Sequence, residues 1–318
     1  MRNKTYLVWL EWPEKCFCAD AEALRRLKAL VPKGSRVVRA RSEAGFLRAL
    51  PTATHAIVWS FRPEWFAKAP RLEVLATPAA GRELMPAEAP KGVRLHFGHF
   101  HGEIIAESVI GFMFGWAKGF FALSEVPAKC RAWPRTWLSD KCRDVAGSRA
   151  VIVGYGHIGR AVGKKLASLG VEVAGITRHG VFTGESPNRR TVEPSKLFRR
   201  ADWLILALPA TSDTNDILNA ALLRKLPRKC VVINVGRANA VDERALVAAL
   251  KAGRIAGAYL DVFKREKSQI WNKCGVRNGV VDFFHAKIPN LVLMPHSAAF
   301  SPHYVLSCLE ELKRDGCL

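Results

Sequence analysis

The 318 residues carry 49 lysines and arginines against 28 acids, a formal net charge of +21, with 49% apolar and 24% charged residues. That length supports two ordinary domains with large cores, and the composition is that of a globular chain rather than a disordered or fibrous one. No uncharged apolar stretch near the middle approaches the roughly 18–20 residues of a membrane span, and the apolar run before Glu11 is too short for a signal-peptide core.

Eight scattered cysteines with no C-x-x-C pair predict free thiols in a reducing, cytoplasmic setting. The positive field attracts anions, phosphorylated cofactors among them. Basic residues are spread along the chain, and the densest patch, Arg224 to Lys229, reads as a solvated helix end. No specific nucleic-acid partner is expected.

Residues 1–100 alternate strands (Tyr6–Leu10, Ser35–Ala40, Ala56–Ser60, Leu72–Ala76, Val93–Phe97) with helical segments (Ala21–Leu30, Ser42–Leu50, Pro63–Ala67). The alternation predicts a small α/β domain with a parallel sheet, and without a phosphate loop it is expected to shape a substrate. His96, His99 and His101 precede a helix and are expected to line the cleft or the helix start rather than bind metal; no metal is predicted. Gly102–Ala122 is apolar almost all round, as a helix bridging domains or subunits would be, although an ordinary core helix fits the pattern equally. Pro127–Val145 is polar and reads as a loop.

The stretch from Ser148 to Arg178 organises the rest. Ala150–Val153 is a short β-branched run that leads into Gly154-Tyr155-Gly156-His157-Ile158-Gly159. A helix follows, with Ile158, Val162, Leu166 and Leu169 on one face, then a second strand, Val171–Thr177. In such a unit the first glycine allows the tight turn, the second lets a pyrophosphate approach the backbone, and the third lets helix pack on strand. The helix N-terminus offers free N–H groups to the phosphates. Further strands are predicted at Trp203–Leu208, Cys230–Val235, Ile255–Val262 and Leu291–Met294, with helices at Pro194–Arg199, Ala220–Leu226 and Val241–Ala252 between them. Lys264–Pro289 is irregular, and a last helix is predicted with Ser301 as N-cap and Pro302 at its first position.

Ligands of open α/β sheets bind beyond the carboxyl ends of the strands. Arg237, Glu266 and His296 each follow a predicted strand and are placed to reach that edge. An arginine can clamp a carboxylate through two parallel hydrogen bonds, a histidine can protonate a carbonyl oxygen near neutral pH, and a carboxylate beside it favours its charged form. That set suits hydride transfer to a 2-keto acid.

Taken in order, VAGSRAVIVGYGHIGRAV, ADWLILALPATSDTND, INVGRANAVDERALVAAL, GAYLDVF and NLVLMPHSA resemble the D-isomer-specific 2-hydroxyacid dehydrogenase family over nearly the whole chain. The resemblance implies two doubly wound parallel-sheet α/β domains, a Rossmann nucleotide domain (104–290) inserted in a flavodoxin-like substrate domain (1–103 and 291–318). It implies that Arg237 orients the substrate, that His296 is the acid/base with Glu266 as its partner, and that Ala80-Gly81 lies in the substrate-carboxylate loop. Cofactor contacts are implied along Gly154 to Gly159, and at Thr177, Arg178, Leu208, Pro209, Thr214, Val235, Gly236, Arg237, Asp261 and His296. The activity implied is nicotinamide-dependent reduction of a small 2-keto acid such as glyoxylate or hydroxypyruvate. A cofactor-sensing, corepressor-like protein on the same fold is the alternative. The family commonly pairs through the apolar helix, so a homodimer is expected, with Trp133 or Trp137 near the partner's site. Ala238 and HFGHFHGE depart from the family pattern, which leaves the substrate open.

An NAD site normally ends its second strand on an acidic residue that holds the adenosine ribose. Thr177 and Arg178 stand there instead, with His179, Arg189 and Arg190 nearby, so NADP is expected in preference to NAD.

Overall fold

Five short runs in the first hundred residues form the strands β1 (Thr5–Trp9), β2 (Arg36–Arg39), β3 (His55–Val58), β4 (Val74–Thr77) and β5 (Arg94–Phe97); β1, β3 and β4 are buried, while β2 and β5 are partly exposed. All pair in parallel, in the order β2-β1-β3-β4-β5, so the chain reverses direction across the sheet between β1 and β3. The helix α1 (Ala21–Leu30) is capped by Asp20, whose side chain accepts the Ala23 N–H, and α2 (Glu43–Ala49) by Ser42, which accepts from Gly45. Leu7, Phe46, Leu50, Val58 and Leu75 share one core.

The computed structural model describes residues 4–124, 126, 134–183, 189–190, 193–264, 288 and 290–318. It divides into two units, Met1–His101 with Phe300–Leu318, and Gly102–Ala299. The C-terminal helix of the first unit begins at Tyr304, two residues beyond the predicted first position. Ser301 does not cap it: its hydroxyl accepts the His303 N–H (3.1 Å) within a turn that precedes the helix.

The second unit holds an eight-stranded sheet: β6 (Arg149–Val153), β7 (Glu172–Thr177), β8 (Gly180–Thr183), β9 (Arg189–Arg190), β10 (Trp203–Leu206), β11 (Val231–Asn234), β12 (Gly257–Leu260) and β13 (Leu291–Leu293), ordered β13-β12-β11-β10-β6-β7-β8-β9. Val151, Leu204, Leu206, Val232 and Ala258 enter one core, while their neighbours Ile152, Trp203, Ile205, Ile233 and Tyr259 enter the other. Burial on both faces is why these strands read as unbroken apolar runs. Helices α3 (His101–Ala117), α4 (Phe120–Ser124), α5 (Arg135–Ser139), α6 (His157–Ser168), α7 (Pro194–Phe198), α8 (Ala220–Lys225) and α9 (Glu243–Lys251) precede α10 (Tyr304–Arg314). No helix among the described residues is long and apolar enough to cross a membrane.

Three features were not settled by the sequence. β13 pairs with β12, so the second unit runs to Ala299 rather than ending at residue 290. The antiparallel hairpin β7–β8 was not legible, because its turn rests on Gly180 at φ +136° rather than on a hydrophobic pattern. The apolar helix α3 puts Ile105, Val109, Phe112 and Met113 into the second unit's core. Its outer stripe carries Glu103 and Glu107, which Lys165 of α6 meets at 3.4 and 3.1 Å. It is a core helix of that unit.

Candidate active site

β6 delivers the chain to the glycine turn at the carboxyl edge, where the strand order reverses between β10 and β7. Gly154 has φ +94°, and a Cβ there would lie 2.5 Å from the Ala207 carbonyl oxygen. A Cβ on Gly159 would lie 2.2 Å from the Gly154 carbonyl oxygen. Around Gly156 nothing stands within 4 Å of that position, and no side chain caps α6 from it. The protein therefore leaves the space beside Gly156 open at the start of α6, which is compatible with a diphosphate approaching the backbone there. The side chain of Tyr155, an implied cofactor contact, is packed: a Cβ on Gly163 would meet its hydroxyl oxygen at 2.5 Å and one on Gly175 its ring at 2.3 Å, which wedges it between α6 and β7. Burial pushes its hydroxyl pKa up. Ile158 packs on the core, and His157 is exposed.

At the end of β7 the Thr177 hydroxyl donates to Gly180 O (3.2 Å) and accepts the His179 N–H (3.1 Å), closing the hairpin. Arg178 is exposed and lies 3.7 Å from the carboxylate of Asp213, itself exposed, in the loop after β10. In that loop the Thr214 hydroxyl reaches Pro209 O (2.7 Å) and receives Asn239 Nδ2 (3.1 Å), so its polar groups serve the loop itself.

β11 ends on Asn234, fully buried although polar. Its Nδ2 donates to Arg237 O (3.2 Å) and its Oδ1 accepts the Gly236 N–H (3.1 Å), which fixes the turn carrying the half-buried Arg237. Val235 is buried beside it. Gly236 is required, since a Cβ would come within 2.5 Å of Leu208 N. The sequence signal for Asn234 is a lone amide at the end of an apolar run, and the motif reading passed over it.

Asp261, also buried, follows β12. Its Oδ1 accepts the N–H groups of Ser297 (2.9 Å) and Ala298 (3.0 Å), and its carbonyl accepts that of His296 (2.9 Å). His296 sits in the left-handed region at φ +54°, exposed at the end of β13. Asp261 thus anchors the loop that presents the histidine, a role beyond the implied cofactor contact. Glu266 lies outside the described residues. Glu243, which sequence reasoning did not single out, accepts the Lys264 N–H at 2.5 Å, and burial pushes its carboxyl up to about 7.

In the first unit, Ala80 and Gly81 follow β4 at the carboxyl edge of that unit's own sheet. The three histidines do not act together. His96 Nε2 meets Asp315 Oδ2 at 3.1 Å, the His99 N–H donates to the buried Glu311, and His101 is buried at the start of α3. Trp133, and the side chains of Arg189 and Arg190, lie outside the described residues, while Trp137 is exposed.

Residues 110–298 match the model of the D-isomer specific 2-hydroxyacid dehydrogenase, NAD binding domain. The chain is 28% identical to a glycerate dehydrogenase of Methylorubrum extorquens over 244 residues, 74% of this chain and 72% of that protein. It is 31% identical to glyoxylate/hydroxypyruvate reductase B of Pectobacterium carotovorum over 235 residues, 72% and 69% of the two chains. In structure it is similar to a D-isomer specific 2-hydroxyacid dehydrogenase of Lactobacillus delbrueckii solved with NAD, at TM-score 0.75 and 18% identity, over 99% of this chain and 96% of that one. The glycine turn, open at Gly156, and these matches lead to one assignment: the chain belongs to the D-isomer specific 2-hydroxyacid dehydrogenases and is a nicotinamide-dependent oxidoreductase.

Proposed function

We propose that the enzyme reduces a small 2-keto acid to the D-2-hydroxy acid, with glyoxylate or hydroxypyruvate as substrate and NADPH preferred over NADH. The observation that carries this reading is the shared edge: the open glycine turn, Arg237 and His296 follow β6, β11 and β13, parallel strands of one sheet. The nicotinamide, when bound, supplies the hydride. Arg237 would clamp the substrate carboxylate and polarise the keto group, and His296 would deliver the proton to the carbonyl oxygen. Glu266 is the proposed partner that keeps His296 charged.

The NADPH preference rests on the uncharged Thr177 at the end of β7 and on Arg178 beside it. An exposed pair at 3.7 Å, such as Arg178 with Asp213, contributes little and yields readily to a phosphate. A homodimer is proposed through the region 102–122, near whose end Phe120 is exposed.

The test is a spectrophotometric panel of 2-keto acids with both cofactors. We expect NADPH to be favoured by at least ~10-fold in kcat/KM, and His296→Ala to lower kcat by ~10²–10⁴-fold with cofactor binding nearly intact. Thr177→Asp with Arg178→Ala should reverse the cofactor order. Turnover unchanged without the His296 imidazole would reject the assignment, and equal or better turnover with NADH would reject the phosphate site.

A further inference from the structure

The cations of the second unit are scattered in sequence and gathered by topology. Parallel strands that end at one edge all begin at the other. α7 runs through Arg199 and Arg200 into β10, α8 through Arg228 and Lys229 into β11, and α9 through Arg254 into β12. The strand starts are bound side by side, Val231 N–H to Asp202 O (3.0 Å) and Ala256 N–H to Cys230 O (2.9 Å). Neighbouring strands in a sheet lie about 4.8 Å apart, so three basic segments enter one narrow rim.

Some of this charge is already engaged. Lys229 Nζ meets the buried Asp202 at 2.6 Å, and the Arg254 guanidinium donates to Arg224 O. Arg199, Arg200, Arg224, Lys225, Arg228 and Lys251 remain, all exposed and without a salt bridge among the described residues. The negative end of a helix dipole accounts for a cation or two in each last turn. It does not account for six along three adjoining helix-to-strand connections, whose single acid, Asp202, is already taken up by Lys229.

We propose that this amino edge is a second binding surface, separate from the catalytic edge, for the phosphodiester backbone of a nucleic-acid duplex. Arginine supplies four of the six groups, and its planar fork matches phosphate oxygens. Recognition is by charge and without sequence readout, because the cations stand on rigid strand and helix ends with no element shaped to enter a groove. None of the large apolar side chains exposed among the described residues falls within 199–256, so the apolar contribution that membrane surfaces draw on is missing there.

Binding of the full chain to a mixed-sequence DNA duplex of about 20 base pairs, followed by fluorescence anisotropy from about 50 to 200 mM salt, tests this. Engaging four or five phosphates gives a log–log salt slope of about −4 and a micromolar Kd near 0.1 M salt. The combined variant Arg199→Glu, Arg200→Glu, Lys225→Glu, Arg228→Glu should bind at least roughly tenfold more weakly, with the slope about halved. The control Arg25→Glu, Lys28→Glu, Lys33→Glu, Arg36→Glu removes the same charge from exposed sites of the first unit and should bind nearly as the parent does. Thermal melting establishes that each variant is folded. If the fourfold edge variant melts early, Lys225→Glu with Arg228→Glu replaces it, with about a threefold loss expected. Equal losses in edge and control variants would mean that net charge alone attracts the duplex, and would overturn the proposal. So would an edge variant that binds like the parent, or capture by phosphatidylserine vesicles without binding to the duplex.

Discussion

Gly156 and Gly159 stand three positions apart in one turn and answer to different constraints. Gly159 is fixed by the protein, because a Cβ would sit 2.2 Å from a carbonyl oxygen that cannot move without opening the turn. Gly156 meets nothing of the protein within 4 Å, so no packing constraint excludes a side chain there, and we propose that its glycine serves the approaching cofactor. Gly159→Ala should therefore cost about 2–4 kcal/mol of stability in denaturant titration. Gly156→Ala should leave stability within about 0.5 kcal/mol and raise the cofactor Kd; equal stability losses in both would refute this division. His55 offers a second test at this scale. It is buried against Tyr6 (ring centroids 4.3 Å apart) and hydrogen-bonded to the Thr54 hydroxyl at 2.9 Å, and burial lowers its pKa to about 4. The unfolded chain protonates this histidine near pH 6.5 and the folded chain only near 4, so stability is full above that window and falls as pH drops through it. His55→Phe, which keeps the ring contact and removes the titration, should flatten that acid limb by up to about 3 kcal/mol in pH-dependent unfolding.

Among the elements, the loop from Pro295 to Ala298 shows how a neighbouring strand positions a catalytic candidate. His296 adopts a backbone conformation uncommon outside glycine, and Asp261 at the end of β12 holds it there through three backbone N–H groups. Asp261→Ala would remove the carboxylate and strand the buried Ala298 N–H. We predict a loss of about 2–3 kcal/mol in stability together with a fall in kcat. His296→Ala should lower kcat and leave the melting temperature nearly unchanged. If Asp261→Ala behaves in the same way, its anchoring role is wrong.

At the scale of the whole molecule, the last nineteen residues belong to the first unit although the chain reaches them only after completing the second. α10 buries Tyr304, Val305, Cys308, Leu309 and Leu312. At ~1.5–3 kcal/mol for each large apolar side chain, their removal is worth on the order of 10 kcal/mol, comparable with the whole stability of a domain. A chain ending at Ala299 should therefore lose protease resistance within residues 1–101 and retain it within 102–299. Uniform resistance in limited proteolysis would show that the first unit folds without α10.

The sequence by itself determined the fold class and most elements, because strands buried on both faces and helices with one apolar stripe leave periodic signatures that survive without tertiary context. It determined the glycine turn as well, since each of its constraints is local. What it left open depends on distant partners. The β7–β8 hairpin hangs on the geometry of one turn, Asn234 and Asp261 matter only through the loops they tie down, and Tyr155 packs because Gly163 and Gly175 make room for it. The basic rim is the clearest case. Arg199, Lys225, Arg228 and Lys251 belong to separate segments in sequence, and only the parallel order of β10, β11 and β12 brings their charges to one edge.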